Sequence, residues 1–261
     1  MQKMRQPVVI IGIGELGGVF AKAFLRAGYP VYPVTRNMNI SEEANTLPTP
    51  ETVLVAVAEK DFNEVITRIP DQWRPYVGLL QNELLPRDWT SHNIVNPTVI
   101  SVWFEKKKGM DCKVLIPSRV YGPRSKVIAD SLAGIDIPCN ILSSEDDLLY
   151  ELVLKNVFVF TINIAGLALE EGATTETLWI KHNELARGIA DEVITVQERL
   201  TGATFQRERL IDGFIEGITG DPDHKCKGRS AAGRLARMLA IADETGLDLP
   251  RIRGIKSRIK P

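Results

Sequence analysis

At 261 residues, with 44% hydrophobic and 25% charged residues and a net charge of −1, the chain has the composition of an ordinary globular protein with room for one or two cores. That near-neutral balance argues against nucleic acid as a principal partner. The three cysteines, Cys112, Cys139 and Cys226, are odd in number and far apart, which fits neither a disulfide framework nor a zinc ligand pair and points to a reducing, cytoplasmic setting.

The first apolar run begins at Val8 and is broken by glycines within a few residues, so Met1–Pro7 does not read as a signal peptide. Val8–Ile13 has the pattern of a strand buried on both faces. Leu16, Val19, Phe20, Ala23 and Ala27 then recur at helical spacing, and Gly28 can end that helix in a left-handed turn. Val31–Thr35 is a second strand, with Pro33 marking an edge or a bulge. Thr52–Ala58, β-branched and uncharged, is the clearest strand of the chain. Asp61 and Glu64 resemble a capping box opening a helix that carries Phe62, Val65, Ile66 and Ile69 on one face. Tyr76–Leu80 returns as a strand ending at Gln81-Asn82. The stretch Thr98–Glu105, a turn at Lys108-Gly109 and Cys112–Ile116 predict a hairpin. A helix near Arg124–Leu132 and a strand near Ile137–Leu142 complete this half. Strands alternating with helices imply an α/β fold, a mostly parallel, doubly wound Rossmann-type sheet.

After Ser144 the texture becomes all-α. Ser144 and Asp147 can cap a helix running to about Leu169 that is apolar on all sides from Val157. That apolar run is short for a bilayer and interrupted by Asn163 and Gly166, so it reads as a core helix and no membrane partner is expected. A second long helix is expected over Thr175–Leu200, its stripe built from Leu178, Trp179, His182, Leu185, Ala186 and Ile189. Two or three shorter helices follow, with no strand signal. Two domains result, residues 1–143 α/β and residues 144–261 all-helical.

Gly12-Ile13-Gly14-Glu15-Leu16-Gly17 matches G-x-G-x-x-G between a buried strand and an amphipathic helix, the context in which the pattern carries meaning. The first glycine permits a tight turn, the second lets the backbone approach a pyrophosphate, and the third lets helix pack on strand. The helix N-terminus adds unpaired N–H groups facing the phosphates. Cofactor choice is read at the end of the second strand. There the chain has Thr35-Arg36-Asn37, with no acid until Glu42. An arginine pairs bidentately with a 2′-phosphate, so NADP(H) is expected rather than NAD. Val57, ending the third strand, joins Arg36 and Asn37 as an expected cofactor neighbour.

These residues and the order of domains resemble the ketopantoate reductase family, within the wider group of 6-phosphogluconate and 3-hydroxyisobutyrate dehydrogenases. Leu80-Gln81-Asn82 is similar to the family's Q-N-G motif, with Glu83 in the glycine's place. Leu154-Lys155-Asn156, leading to Asn163, is similar to its K-L-x-x-N…N helix, with Val159 at the second asparagine. Gly246…Pro250 looks like its G-x-x-x-P ending, which places the family's acidic residue at Ser230. The resemblance implies hydride transfer from NADPH to a 2-keto acid. Lys155 would be the proton donor, Asn163 would orient substrate, and Gln81 and Asn82 would lie on the nicotinamide side. It also implies a small-molecule substrate.

The residues support Lys155 independently. No charge follows it until Glu170, so it sits where a solvated helix end becomes a buried one, and desolvation favours giving up a proton. Asn156 and Asn163, seven residues apart, share a helical face, and buried amides need partners. Lys225, Lys227, Arg229 and Arg234 form a basic segment read as solvated. His182 reads as a core histidine. His92 and His224 lie in loops without a partner at metal-ligand spacing, and no metal is expected. Arg251–Lys260 reads as a basic, solvated helix face. A homodimer through the long apolar helices is expected. Two alternatives stand beside the reductase: an NADPH-binding sensor or scaffold without catalysis, and a dehydrogenase of the hydroxyisobutyrate type.

Overall fold

The computed structural model describes residues 5–258, so the first four residues of the Met1–Pro7 segment and Ile259 and Lys260 of the basic C-terminal run lie outside the described residues. The chain divides between Glu151 and Leu152 into two compact units.

The first unit is wound on β1 (Val8–Ile11), α1 (Glu15–Arg26), β2 (Val31–Val34), α2 (Ile40–Thr46), β3 (Thr52–Val55), α3 (Phe62–Thr67), β4 (Val77–Leu79), α4 (Pro86–Thr90) and β5 (Thr98–Ser101). It continues through β6 (Phe104–Glu105), β7 (Lys113–Val114), β8 (Ser118–Tyr121), α5 (Ser125–Ala133) and β9 (Cys139–Ile141). Seven strands form one sheet in the order β2-β1-β3-β4-β5-β8-β9. Every neighbouring pair is parallel except β5 with β8, where Val99 faces Tyr121. All residues of β1 and β3 are buried, as uncharged β-branched runs require in a sheet covered on both faces. Pro33 lies exposed on β2, the edge strand, where a missing N–H costs least.

Val8, Ile10 and Leu54 from the sheet pack with Phe20 and Phe24 of α1 and Ile128 and Leu132 of α5. Gly28 takes φ 82° and ends α1, its N–H bonded to Leu25 O and that of Tyr29 to Phe24 O. The expected hairpin is real but shorter: β6 and β7 pair antiparallel across Gly109 at φ 76°, while Thr98–Ser101 joins the main sheet instead. The capping box at Asp61 and Glu64 does not form. A 3-10 turn, Glu59–Asp61, leads into α3, and Asp61 makes no capping bond. α2 and α4 were not expected; both are short, below the length at which periodicity is legible.

α6 (Glu145–Gly166) begins as expected, with the Asp147 N–H bonded to Ser144 Oγ at 3.1 Å. It is long and apolar enough to cross a bilayer, yet 83% of its most apolar window is buried, the environment of a core helix. The helical unit adds α7 (Thr175–Lys181), α8 (Asn183–Thr201), α9 (Arg207–Gly220), α10 (Ala231–Thr245) and α11 (Pro250–Arg258). The long helix expected over Thr175–Leu200 is therefore broken. The break falls at His182, whose φ of −131° and ψ of 35° leave the helical region, and the side chain is exposed rather than part of the core. At the start of α11 the Arg251 and Ile252 N–H groups donate to the Glu192 carboxylate of α8 at 2.8 and 3.0 Å, satisfying donors a helix N-terminus leaves open. Among the described residues no strand follows β9; Thr174 and Lys225 form one isolated bridge.

Candidate functional site

The sheet order reverses direction at β1, so the crevice for a ligand opens beyond the carboxyl ends of β1, β2 and β3. Backbone geometry there follows from three glycines with three different surroundings. Gly12 takes φ 98°, and a Cβ on it would lie 2.8 Å from the Ala56 carbonyl oxygen. A Cβ on Gly17 would lie 2.1 Å from the Gly12 oxygen, so α1 approaches the loop as closely as backbone allows. Gly14, which caps α1, has no heavy atom within 4 Å of that direction and faces open space. Gly12 and Gly17 are thus required by packing, whereas Gly14 is required by nothing inside the protein. That is the arrangement needed to bring a phosphate against the backbone at a helix N-terminus.

A cleft of 640 Å³ lies over this loop. It is lined by Gly12, Ile13 and Gly14, by Thr35, Arg36 and Met38 after β2, and by Ala56, Val57 and Ala58 after β3. Lys60, Asp61, Glu64 and Arg68 add its charged wall, and Val65 adds an apolar one. The Arg36 side chain is 88% exposed, and its Nη2 lies 3.5 Å from Asp61 Oδ2. Ile13 is exposed beside the loop, an apolar surface at the mouth of the cleft. Of the expected cofactor residues, Gly12, Ile13, Gly14, Arg36 and Val57 line the cleft. Glu15 stands exposed in the first turn of α1, Leu16 packs on the core cluster, and Asn37 is exposed outside the lining. Met38, Lys60, Asp61 and Arg68 were not anticipated; they belong to loops and short helices whose spacing carries no periodic signal.

Gln81 is buried at the end of β4. Its amide donates to Val55 O at 2.7 Å and to Val57 O at 3.2 Å, and its Oε1 accepts from the Leu80 N–H. It ties the carboxyl ends of β3 and β4 together, so its place is to hold the rim of the crevice. The Asn82 amide donates to Glu59 Oε1 at 3.0 Å. Glu83 takes φ 69°, the left-handed conformation that glycine adopts without cost.

In the helical unit, Lys155 is half-buried on α6, its Nζ 5.7 Å from the centre of the Phe158 ring. The Asn156 amide donates to Gln197 Oε1 of α8 at 2.9 Å, both groups buried. Asn163 Oδ1 accepts from Arg234 Nη1 of α10 at 3.2 Å. Arg234 is only 8% exposed, so the solvated reading of this residue is corrected; Lys225, Lys227 and Arg229 are exposed as expected. Val159 is buried, and Ser230 sits exposed at the N-cap of α10 without a capping bond. His224 Nδ1 lies 3.4 Å from Asp221 Oδ2, and His92 Nδ1 lies 3.3 Å from Thr67 Oγ1. All three cysteines are free thiols. Burial pushes Cys139 up to about 12 and Cys226 up to about 11, and also raises Cys112, so none is poised as a thiolate nucleophile.

No protein-family model and no curated protein matches the sequence. Solved structures do match the fold. The 2-dehydropantoate 2-reductase of Methylococcus capsulatus superposes with a TM-score of 0.68 at 12% identity, covering 96% of this chain and 94% of its own. A dimeric ketopantoate reductase from Staphylococcus aureus gives 0.65 at 15% identity, with 97% of each chain covered. D-mandelate dehydrogenase in complex with NADH gives 0.65 at 12% identity, again over 97% of each. At these identities the likeness is one of fold, and it extends over almost the whole chain.

Proposed function

We propose that this chain is an NADP(H)-dependent oxidoreductase that transfers hydride to or from a small 2-keto or 2-hydroxy acid, in the manner of the ketopantoate reductases. One observation carries the reading: the cleft in which Gly14 opens onto free space also exposes the Arg36 guanidinium. A dinucleotide fits this lining. The Gly12–Gly17 turn and the first N–H groups of α1 hold the pyrophosphate, and Arg36 takes the 2′-phosphate. Val57 and the Gln81-braced ends of β3 and β4 form the floor of the crevice, with Asn82 on the nicotinamide side.

When bound, the nicotinamide supplies hydride to a carbonyl carbon or accepts it from the corresponding alcohol. Lys155 holds the proton that the carbonyl oxygen takes up. Asn163, steadied by Arg234, orients the substrate. A cytoplasmic setting and a homodimer through the helical part complete the reading. The dimer is supported by the dimeric enzyme of the same fold. Light scattering would then report twice the 29.0 kDa chain mass, and a mass of one chain would remove the dimer.

The test of function is NADPH oxidation across a panel of 2-keto acids. At least one acid should be turned over, and Lys155→Ala should lower kcat by about 10²–10⁴-fold while leaving NADPH affinity within about twofold. Unchanged turnover would take Lys155 out of the mechanism. A second reading, an NADPH-binding sensor or scaffold, is favoured by buried Val159, by Ser230, and by protein partners already on the Asn156 and Asn163 amides. Saturable NADPH binding without oxidation of any acid would select it.

A further inference from the structure

The cleft over the glycine loop has a charge pattern that a single 2′-phosphate arginine does not explain. Its wall carries three cations, Arg36, Lys60 and Arg68, against two carboxylates, Asp61 and Glu64. Two of the cations already face an acid: Arg36 Nη2 lies 3.5 Å from Asp61 Oδ2, and Arg68 Nη1 lies 3.5 Å from Glu64 Oε1. Asp61 is the more telling of the two acids. It sits at the N-terminus of α3 but does not cap it, so the helix does not account for its presence.

We propose that Asp61 is a specificity-determining residue that competes with the 2′-phosphate for Arg36 and narrows the preference for NADPH over NADH. The inference rests on the dinucleotide reading of this cleft. A 2′-phosphate entering beside Arg36 meets a carboxylate of like charge at ion-pair distance from the same guanidinium. To pair with Arg36 it must displace Asp61 or share the guanidinium with it. A 2′-hydroxyl meets no such repulsion and can donate a hydrogen bond to a carboxylate, the interaction by which an acid at the end of the second strand selects NAD; Asp61 brings its carboxylate to Arg36 from the connection after β3 instead. The Arg36–Asp61 pair therefore offers each cofactor one partner, the guanidinium for the phosphate and the carboxylate for the hydroxyl. Because Arg36 is largely exposed, solvent weakens the pair and leaves it easy to open, so Asp61 tunes selectivity rather than blocking NADPH.

Fluorescence titrations of NADPH and NADH against the full chain test this, using the wild type, Asp61→Asn and Arg36→Ala, with thermal melts to establish that each variant is folded. Asp61→Asn keeps the shape and removes the charge. It should tighten NADPH by about 2–5-fold, leave NADH unchanged or weaker, and so raise the ratio of Kd for NADH to Kd for NADPH. Arg36→Ala should lower that ratio by weakening NADPH alone. If Asp61→Asn folds and its ratio equals that of the wild type, Asp61 has no part in selectivity while the dinucleotide site stands. If neither cofactor binds the wild type, the dinucleotide reading itself fails, and this inference with it. Should Asp61→Asn not fold, Asp61→Ser replaces it with the same expected ratio change.

Discussion

Glu83 marks the end of the β4 turn with a residue that its backbone disfavours. An L-residue at φ 69° carries a steric cost that glycine does not, of about 1–2 kcal/mol. Glycine in turn loses more backbone freedom on folding, so the two effects partly cancel. Glu83→Gly is expected to raise stability by about 0.5–1 kcal/mol in urea unfolding; a loss of stability would show that the glutamate side chain outweighs the strain. The turn itself was legible from Leu80-Gln81-Asn82, because the resemblance spans it in spite of the substitution. Gly12, Gly14 and Gly17 were legible for a different reason: their spacing between strand and helix encodes one backbone path, and the three Cβ environments follow that path. Asp61 was misjudged. As sequence it looks like a helix cap, and only the fold reveals that its carboxylate turns toward Arg36, a residue on another loop.

At the scale of elements, α6 shows what periodicity tells and what it hides. Its start at Ser144 and its burial follow from local capping and from an apolar run, both readable in order along the chain. The partners of its two buried asparagines lie on α8 and α10, 41 and 71 residues away, and no spacing rule points to them. Asn156→Ala withdraws the donor that reaches buried Gln197 Oε1. It should cost about 1–3 kcal/mol in chemical unfolding, the usual consequence of losing one member of a buried pair. A change below about 0.5 kcal/mol would mean that Gln197 is satisfied by another route. The break at His182 was hidden in the opposite way. Apolar positions run in phase across it, so the pattern of Leu178, Trp179, Leu185 and Ala186 gives no sign that α7 stops and α8 begins. Among the described residues the break carries no proline or glycine of its own, and its signature is confined to the backbone angles of one exposed residue.

Across the whole molecule, the parallel sheet followed by helices was the most legible feature, since alternating strands and helices leave few topologies open. The antiparallel β5–β8 pairing was not legible: Thr98–Ser101 reads equally well as a hairpin arm, and sheet registry alone assigns it to the main sheet. The proposed function rests on one consequence of this topology. It places a glycine with nothing opposite its missing side chain at the point where the sheet order reverses. The most direct measurement is therefore a fluorescence titration of NADPH against the wild type and Gly14→Val, with melts recorded for both. The valine projects into open space, at a backbone φ of −82° that any residue accepts, so folding should be spared. The expected result is saturable binding by the wild type and at least about tenfold weaker binding by a Gly14→Val protein that melts within about 2 °C of it. Equal binding by the two proteins, or none by the wild type, would contradict a cofactor seated on this loop.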